Sequence, residues 1–578
     1  MSFEHRQTPP AALPLSERAL TLADVVRVAR ERWPVRPLPD SAPPGSELAV
    51  RLDRIGRSAA WVRQTMAEIE RAAAEGRPPL VIYGVNTGFG DNAGRAVFRH
   101  PWEADLLSRN LLLSHTVGTG PYLPADAVRA AMLIRANTLA QGYSGVRREV
   151  INTLVTMLNR DVLPAVPAQG SLGASGDLAP LAHLALVLSA PPPGEEPHPG
   201  ANGLAFWRGE LLDGAAAMAA AGIPRVTLGA KEGVALINGT AVSAGIGALA
   251  WHDALQTLAA AEIALALSVE GLRGFRDAFL PHLHAVRGHE GQAQVADFVY
   301  RLLQGSTLAR GDANVDLDPW EGPPQDPYCL RAAPAVLGAV FDTLRYVEGV
   351  LTREINAVTD NPLIFLDEDG PLHLPRATKA VSGGNFHGAP VGYALDFLKI
   401  VMTDLASISE RRTFTLLDGR LNRGLPPFLI TDPPGEEGLN SGLMMAQYTA
   451  AALVSESKIL AHPASVDSIP SSANREDHVS MSTIAARGAA EIVRHAQTVI
   501  AIELLCAYQA VELRLAADPA VRLGRGTAAA LDFLRSVQVA PGQPLRPLRR
   551  DMALQPYLQA LIEVVRSGAL LDAVHRAL

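Results

Sequence analysis

Five long stretches rich in Ala and Leu, around residues 240–271, 331–356, 388–411, 440–461 and 482–517, constrain this chain more than anything else in it. Each repeats apolar side chains at helical spacing over several turns and is set off by Gly or Pro. Long helices of that kind bury their apolar stripes against one another. Strand signals are sparse and short. The pattern predicts a mainly α fold, with a long central helix bundle and a smaller mixed region toward the N-terminus. In that region Thr21 is a candidate N-cap for helical spacing over 20–33, and further helical patterns run over about 47–75 and 124–163. The apolar run LVIYGV at 80–85 is short, and PPPGEEPHPG at 191–200 reads as an exposed loop. The expected organisation is a loose tail over 1–18, an N-terminal domain over 19–230, and a central helical bundle with a C-terminal helical region over 231–578.

Composition narrows the possible functions. A chain of 578 residues has room for one large core plus an appended domain, and 48% apolar with 19% charged residues describes a globular protein rather than a disordered one. A net charge of −8 disfavours nucleic acid as a partner. The two cysteines, Cys329 and Cys506, lie far apart, which predicts no disulfide framework and fits a reducing cytoplasm. The opening MSFEHRQTPPAALP lacks the basic-then-apolar pattern of a secretory signal. The most apolar run, Gly239 to Ala250, is short and soon followed by Asp253, so it reads as a buried helix and no membrane partner is expected.

The chemistry is concentrated in PAQGSLGASGDLAPLAH, Pro167 to His183. Glycines at 170, 173 and 176 around Ala174 and Ser175 mark a tight turn or a close approach of backbone. The stretch GSLGASGDLAPLAH resembles the signature of the histidine and phenylalanine ammonia-lyase family. The resemblance implies that Ala174, Ser175 and Gly176 cyclise into 4-methylidene-imidazol-5-one (MIO), an electrophile built from the chain itself, with no pyridoxal phosphate and no metal. In that cyclisation the Gly176 amide nitrogen attacks the Ala174 carbonyl carbon, an approach a side chain at 176 would crowd. Ser175 then loses its hydroxyl as water and leaves an exposed methylidene carbon. The closing amide gives up its planarity, so the backbone around it must be compressed.

Further blocks resemble the same family, in family order, over most of the chain. YGVNTGFG at 83–90 is similar to the family's tyrosine loop and makes Tyr83 the candidate base or acid. LLLSHTVGTG at 111–120 resembles the segment that selects substrate. KEGVALINGT at 231–240 carries Asn238, QDPYCLR at 325–331 carries Gln325, Tyr328 and Arg331, and SGGNFHG at 382–388 carries Phe386. NSGLMM at 440–445, with Met444, and SANREDHVSM at 472–481, with Glu476, complete the set. The implied catalytic residues are Ala174, Ser175, Gly176, Tyr83, Tyr328, Asn238 and Glu476, and the implied substrate-binding residues are Ser114, His115, Gln325, Arg331, Phe386 and Met444. Such a lyase removes a weakly acidic C–H proton beside a poor leaving group, the α-amine. A tyrosine can take that proton only if its pKa, about 10 in water, is lowered by cations or helix dipoles. Arg331 offers a planar fork for a carboxylate, Asn238 and Gln325 offer uncharged donors for the MIO carbonyl or the substrate, and Phe386 offers a wall. Asp360 and Asn361, before Pro362 in TDNPL, read as a structural turn. The resemblance also implies a cytoplasmic homotetramer whose active sites combine residues from three subunits.

Substrate choice is narrower still. Ser114-His115 is the pair that histidine-type members carry, and Glu476 matches their glutamate. A buried imidazole needs partners for two polar nitrogens, which a carboxylate and a histidine supply; a phenyl ring would leave Glu476 unpaired. The expected reaction is the first kind of step in histidine catabolism, L-histidine to urocanate plus ammonia. Two alternatives stay open: a lyase or 2,3-aminomutase acting on another aromatic or heteroaromatic amino acid with the same electrophile, and a non-catalytic helical scaffold. Two departures bear on the substrate. Arg475 stands where histidine-type members have glutamine and either faces away or pairs with Glu476 inside the pocket, and Asp91-Asn92 after the tyrosine loop is atypical. Rival motifs fail on spacing. GFGDNAG at 88–94 does not fit the dinucleotide fingerprint, and GASGD lacks the last glycine of a nucleophile elbow. HEGQA is not H-E-x-x-H, so His282, His284 and His289 read as structural rather than as zinc ligands.

Overall fold

Thr21 opens the first helix, Leu22–Arg30, in a computed structural model that describes residues 11–95, 97–196, 198–311, 324–366 and 379–578. The Thr21 hydroxyl accepts from the Asp24 amide at 3.1 Å, and the Asp24 carboxylate accepts from the Thr21 amide at 2.9 Å. That reciprocal pair satisfies amides that a helix start otherwise leaves open. Ser46 likewise caps Glu47–Ala74, accepting from the Ala49 amide at 3.1 Å. The pattern over 124–163 resolves into two helices, Ala125–Leu139 and Arg148–Asn159, because Gly142 and Gly145 turn the chain between them. The five long stretches form the helices Ala241–Gly271, Ala333–Glu354, Ala389–Leu417, Met444–Leu460 and Ser482–Ala517. The chain is mainly α, and its described strands are no longer than four residues.

The tail expected over 1–18 is corrected from residue 11 onward. Leu13–Pro14 pairs in parallel with Val35–Arg36, and Leu13, Leu15 and Ser16 are buried. Two leucines in alternation supply an apolar face that packs rather than trailing in water. Residues 1–10 of that expectation lie outside the described residues.

The chain divides into two units that interleave along the sequence instead of meeting at residue 230. One comprises Met1–Leu249, Glu348–Leu395 and Ala464–Arg487, the other Ala250–Val347, Asp396–Pro463 and Gly488–Leu578. Four of the five borders fall inside long helices, which consecutive blocks of sequence do not register.

In the first unit, Leu204–Trp207 lies between Leu163–Pro164 and Glu210–Asp213 in an antiparallel sheet, and Thr119–Tyr122 pairs with Pro167–Gln169. Pro167–Gln169 leads into the Ala174-Ser175-Gly176 loop, and the buried helix Leu178–Leu188 leads out of it. Val62, Met66, Ile69, Ile82, Val85 and Ile364 form one core cluster under the Tyr83 segment. Lys231 and Asp360 form a fully buried ion pair at 2.6 Å, which agrees with a structural role for Asp360.

In the second unit, the buried Glu503 carboxylate accepts from Arg412 Nη2 at 2.7 Å, Ser409 Oγ at 2.6 Å and Ser268 Oγ at 2.8 Å. A charge removed from water needs that degree of pairing. Helix Ala241–Gly271 extends well beyond the apolar run seen in the sequence and is long and apolar enough to cross a membrane by length and composition. Of its most apolar window, 83% is buried inside the protein, as in a core helix.

Candidate active site

The loop bearing Ala174-Ser175-Gly176 is gripped on both sides within the first unit. Gly176 has φ +80°, and a Cβ there would run into the backbone of Gly239, so only glycine fits. The Asp177 amide donates to Gly239 O at 2.7 Å, and the Met481 amide donates to Leu172 O at 3.0 Å. Ser175 itself has φ +56°, a conformation that a residue with a side chain adopts at a cost of about 1–3 kcal/mol. The fully buried Asp177 carboxylate accepts from the Val242 amide at 2.9 Å, the Ser243 amide at 2.8 Å and Thr483 Oγ1 at 2.7 Å. It thus closes the open first turn of Ala241–Gly271 and also holds the start of Ser482–Ala517. Burial pushes its carboxyl upward, and those hydrogen bonds pull against the rise. Sequence reading passed over Asp177. Its position directly after the tripeptide was the available signal.

Around this loop the first unit gathers most of the expected residues. Ser175 Oγ donates to Glu476 Oε1 at 2.9 Å, and Glu476 Oε2 accepts from Ser471 Oγ at 3.1 Å. Tyr83 is half-buried, its ring edge-on to Phe89 and its hydroxyl accepting from the Gly90 amide at 3.5 Å. Within this unit the Tyr83 pKa is raised, not lowered as a base requires. Burial raises it, the Gly90 hydrogen bond only partly opposes that, and the Glu476 charge raises it further. Glu476 also acts electrostatically on His115, whose pKa burial holds below the ordinary histidine value, so the ring is a neutral imidazole near pH 7. Ser114 Oγ lies 3.0 Å from His115 Nδ1, at the end of helix Pro101–His115.

Asn238 follows helix Glu232–Ile237 and adjoins Gly239. It is buried, and its Oδ1 has no hydrogen-bond partner among the described residues. A glycine that nothing else could replace, a serine hydroxyl held by a carboxylate and an unpartnered buried amide oxygen beside Gly239 fit the chain-derived electrophile. Phe386 is half-buried ahead of Ala389–Leu417, and its neighbour His387 stacks on His478 at 5.8 Å, tying that loop to the Glu476 segment. Arg475 does not pair with Glu476. Its side chain is 70% exposed, and its Nε stands 3.6 Å from an Asp91 oxygen. The two atypical positions therefore face each other, a pairing hidden in the sequence by their separation.

Gln325, Tyr328, Arg331 and Met444 belong to the second unit. Gln325 and Arg331 line a cavity of about 420 Å³ together with Asp277, His284 and Arg287. Arg331 Nε donates to Asp326 O at 2.8 Å and its guanidinium lies 4.5 Å over the ring of Tyr328, which is 70% exposed. Met444 opens helix Met444–Leu460. His284 is held by Gln292 Nε2 at 2.9 Å and by Ala278 O at 3.1 Å, in line with a structural histidine. Among the described residues no group of three or more His, Cys, Asp and Glu side chains is placed to hold a metal ion.

The aromatic amino acid lyase family matches residues 20–536. The chain is 45% identical over 549 residues to a histidine ammonia-lyase of Caldanaerobacter subterraneus subsp. tengcongensis, covering 95% of each. Among solved structures it is similar to the histidine ammonia-lyase from Trypanosoma cruzi, with 34% identity, 98% and 96% of the two chains covered and a TM-score of 0.79. It is similar also to a tyrosine aminomutase from Streptomyces globisporus, with 33% identity, 98% and 99% covered and a TM-score of 0.81. The chain belongs to the aromatic amino acid lyase family. It is a carbon–nitrogen lyase.

Proposed function

We propose that the protein is an MIO-dependent ammonia-lyase that converts L-histidine into urocanate and ammonia. The observation that carries this reading is the Glu476 carboxylate, 2.9 Å from Ser175 Oγ and close enough to act on both Tyr83 and His115. The carboxylate on the serine of the tripeptide thus has a neutral imidazole and a phenol within its electrostatic reach, and in this reading the combination gives both nitrogens of an imidazole substrate a partner. The name carried by the relative that is 45% identical over 95% of the chain supports the same substrate.

In this reading Ala174, Ser175 and Gly176 form the MIO group, whose electrophilic methylidene carbon engages the substrate amine and makes it a better leaving group. Ser114, His115 and Glu476 hold the ring end of the substrate, while Phe386 walls it. Asn238, next to the Gly239 that packs on the tripeptide, would offer its side-chain amide to the MIO carbonyl or the substrate. Tyr83 takes the β-proton. Burial and Glu476 keep it a neutral phenol in the isolated unit, so the cationic surroundings a base needs come with assembly. A cytoplasmic homotetramer with shared sites would bring the second-unit residues Gln325, Tyr328, Arg331 and Met444 of other copies to this loop. The exposed Tyr328 hydroxyl would then act beside Tyr83, with the Arg331 fork on the substrate carboxylate.

A second reading is an aminomutase that returns the ammonia to the β-carbon, and it rests on the likeness to the S. globisporus enzyme. Continuous absorbance assays on histidine, phenylalanine and tyrosine, with product identification, separate the two. Urocanate and free ammonia from histidine support the lyase. A β-amino acid product, or no turnover of histidine, overturns it.

A further inference from the structure

Two segments bring Tyr83 and Glu476 to the tripeptide. The first is anchored in the core through Ile82, Val85 and the buried Asn86, while its continuation at Gly90–Gly94 is a short turn without buried residues. The Tyr83 hydroxyl is met by the amide of Gly90, which opens the short 3-10 turn Gly90–Gly94. Glu476 closes a loop joined at its base by the Ser471–Glu476 backbone bridge. Inside that loop Ser472, Ala473 and Asn474 have φ +49°, +52° and +67° in succession. Three consecutive left-handed residues with side chains are unfavourable in isolation and persist only where neighbours hold them.

Besides the Ser471–Glu476 hydrogen bonds at the base, the other segment packs against them. Gly90, at φ +56°, presents its bare Cα to Ser472 Oγ, and any Cβ there would collide with it. The next residue, Asp91, faces Arg475 at 3.6 Å across the same gap. Asp91 therefore adjoins the residue that binds the Tyr83 hydroxyl, and Arg475 adjoins the residue that binds Ser175 Oγ. Asp91 has a second cation, Arg95, at 3.5 Å, but Arg95 lies on its own turn and links nothing across the gap. Both members of the cross-gap pair are solvent-accessible, at 42% and 70%.

We propose that Asp91 and Arg475 form a latch that holds the Tyr83 segment against the strained Glu476 loop, and that both are positioning residues for the chemistry at Ser175. The latch is a charge contact rather than a directed hydrogen bond, so a lysine at 475 preserves it. Its kinetic consequence rests on the proposed lyase reading; its structural consequence does not.

Hydrogen exchange of the full-length protein, followed in peptides over 83–95 and 468–478, tests it directly. Asp91→Asn and Arg475→Gln should each speed exchange in both segments by roughly two- to five-fold, the worth of an exposed ion pair. The double variant should show no more than either single one. Arg475→Lys should restore protection, Arg95→Gln should leave 468–478 unchanged, and about 1 M salt should bring the wild type to the level of the variants. With L-histidine as substrate, kcat should fall by the same factor in Asp91→Asn and Arg475→Gln and recover in Arg475→Lys. If each variant loosens only its own segment, or the two effects add in the double variant, there is no latch. If exchange behaves as described but histidine is not turned over, the latch stands and the proposed reaction fails.

Discussion

Replacing Glu476 by glutamine isolates the group on which the substrate assignment depends. The exchange keeps the shape but removes a charge that accepts from Ser471 Oγ at 3.1 Å and, before the proposed cyclisation removes the serine hydroxyl, from Ser175 Oγ at 2.9 Å. Loss of that hydroxyl frees the carboxylate oxygen for substrate. A hydrogen bond to a charged group contributes about 1.5–3 kcal/mol, so kcat/KM for histidine should fall roughly ten- to hundred-fold when an imidazole nitrogen loses that partner. Phenylalanine has no nitrogen to lose and should change by less than about three-fold, narrowing a preference that a site built for hydrogen bonds holds at roughly 10⁴ or more. The pH profile carries an independent sign. The Glu476 charge raises the Tyr83 pKa, so removing it lowers that pKa. A limb of activity that rises as Tyr83 loses its proton should therefore move to lower pH. Steady-state assays of urocanate and cinnamate formation across pH provide both readouts. Equal losses on the two substrates would refute the placement of Glu476 at the ring, and an unmoved limb would refute Tyr83 as the base.

Arg331→Lys should keep the charge and lose the fork, weakening substrate binding by about 1–3 kcal/mol in kcat/KM; unchanged kinetics would remove Arg331 from the carboxylate. Gly176→Ala should fold with a lowered Tm and without the near-ultraviolet absorbance of MIO, because its Cβ meets the Gly239 backbone at φ +80°; normal absorbance and activity would show that the loop is not gripped as described. Protein dialysed against chelator, with no pyridoxal phosphate added, should retain full activity, and restoration by either additive would contradict a chain-derived electrophile.

The helices were legible because their signals are local. Thr21 with Asp24, and the apolar spacing of Ala241–Gly271, can be read within a few turns. The tripeptide was legible because its chemistry demands small residues in one order. What stayed hidden depends on contacts far apart in sequence. Asp177 reaches amides more than sixty residues away and Thr483 more than three hundred away. The rise in the Tyr83 pKa comes from burial and from Glu476, and neither is visible in YGVNTGFG. Arg475 was ambiguous for the same reason. Adjacent residues point in different directions, and only the fold shows Glu476 on Ser175 and Arg475 on Asp91. The interleaved units were hidden because four of their five borders lie inside continuous helices.

The central claim is that three residues of this chain become its electrophile, and the mass of the peptide containing Ala174, Ser175 and Gly176 tests it most directly. Cyclisation with loss of two waters makes the wild-type peptide lighter than its sequence by roughly 36 Da. The same peptide from Ser175→Ala, in a protein of unchanged fold, should keep the full mass of its sequence and the variant should lose activity. A wild-type peptide at its full sequence mass, from protein that turns over histidine, would contradict the account.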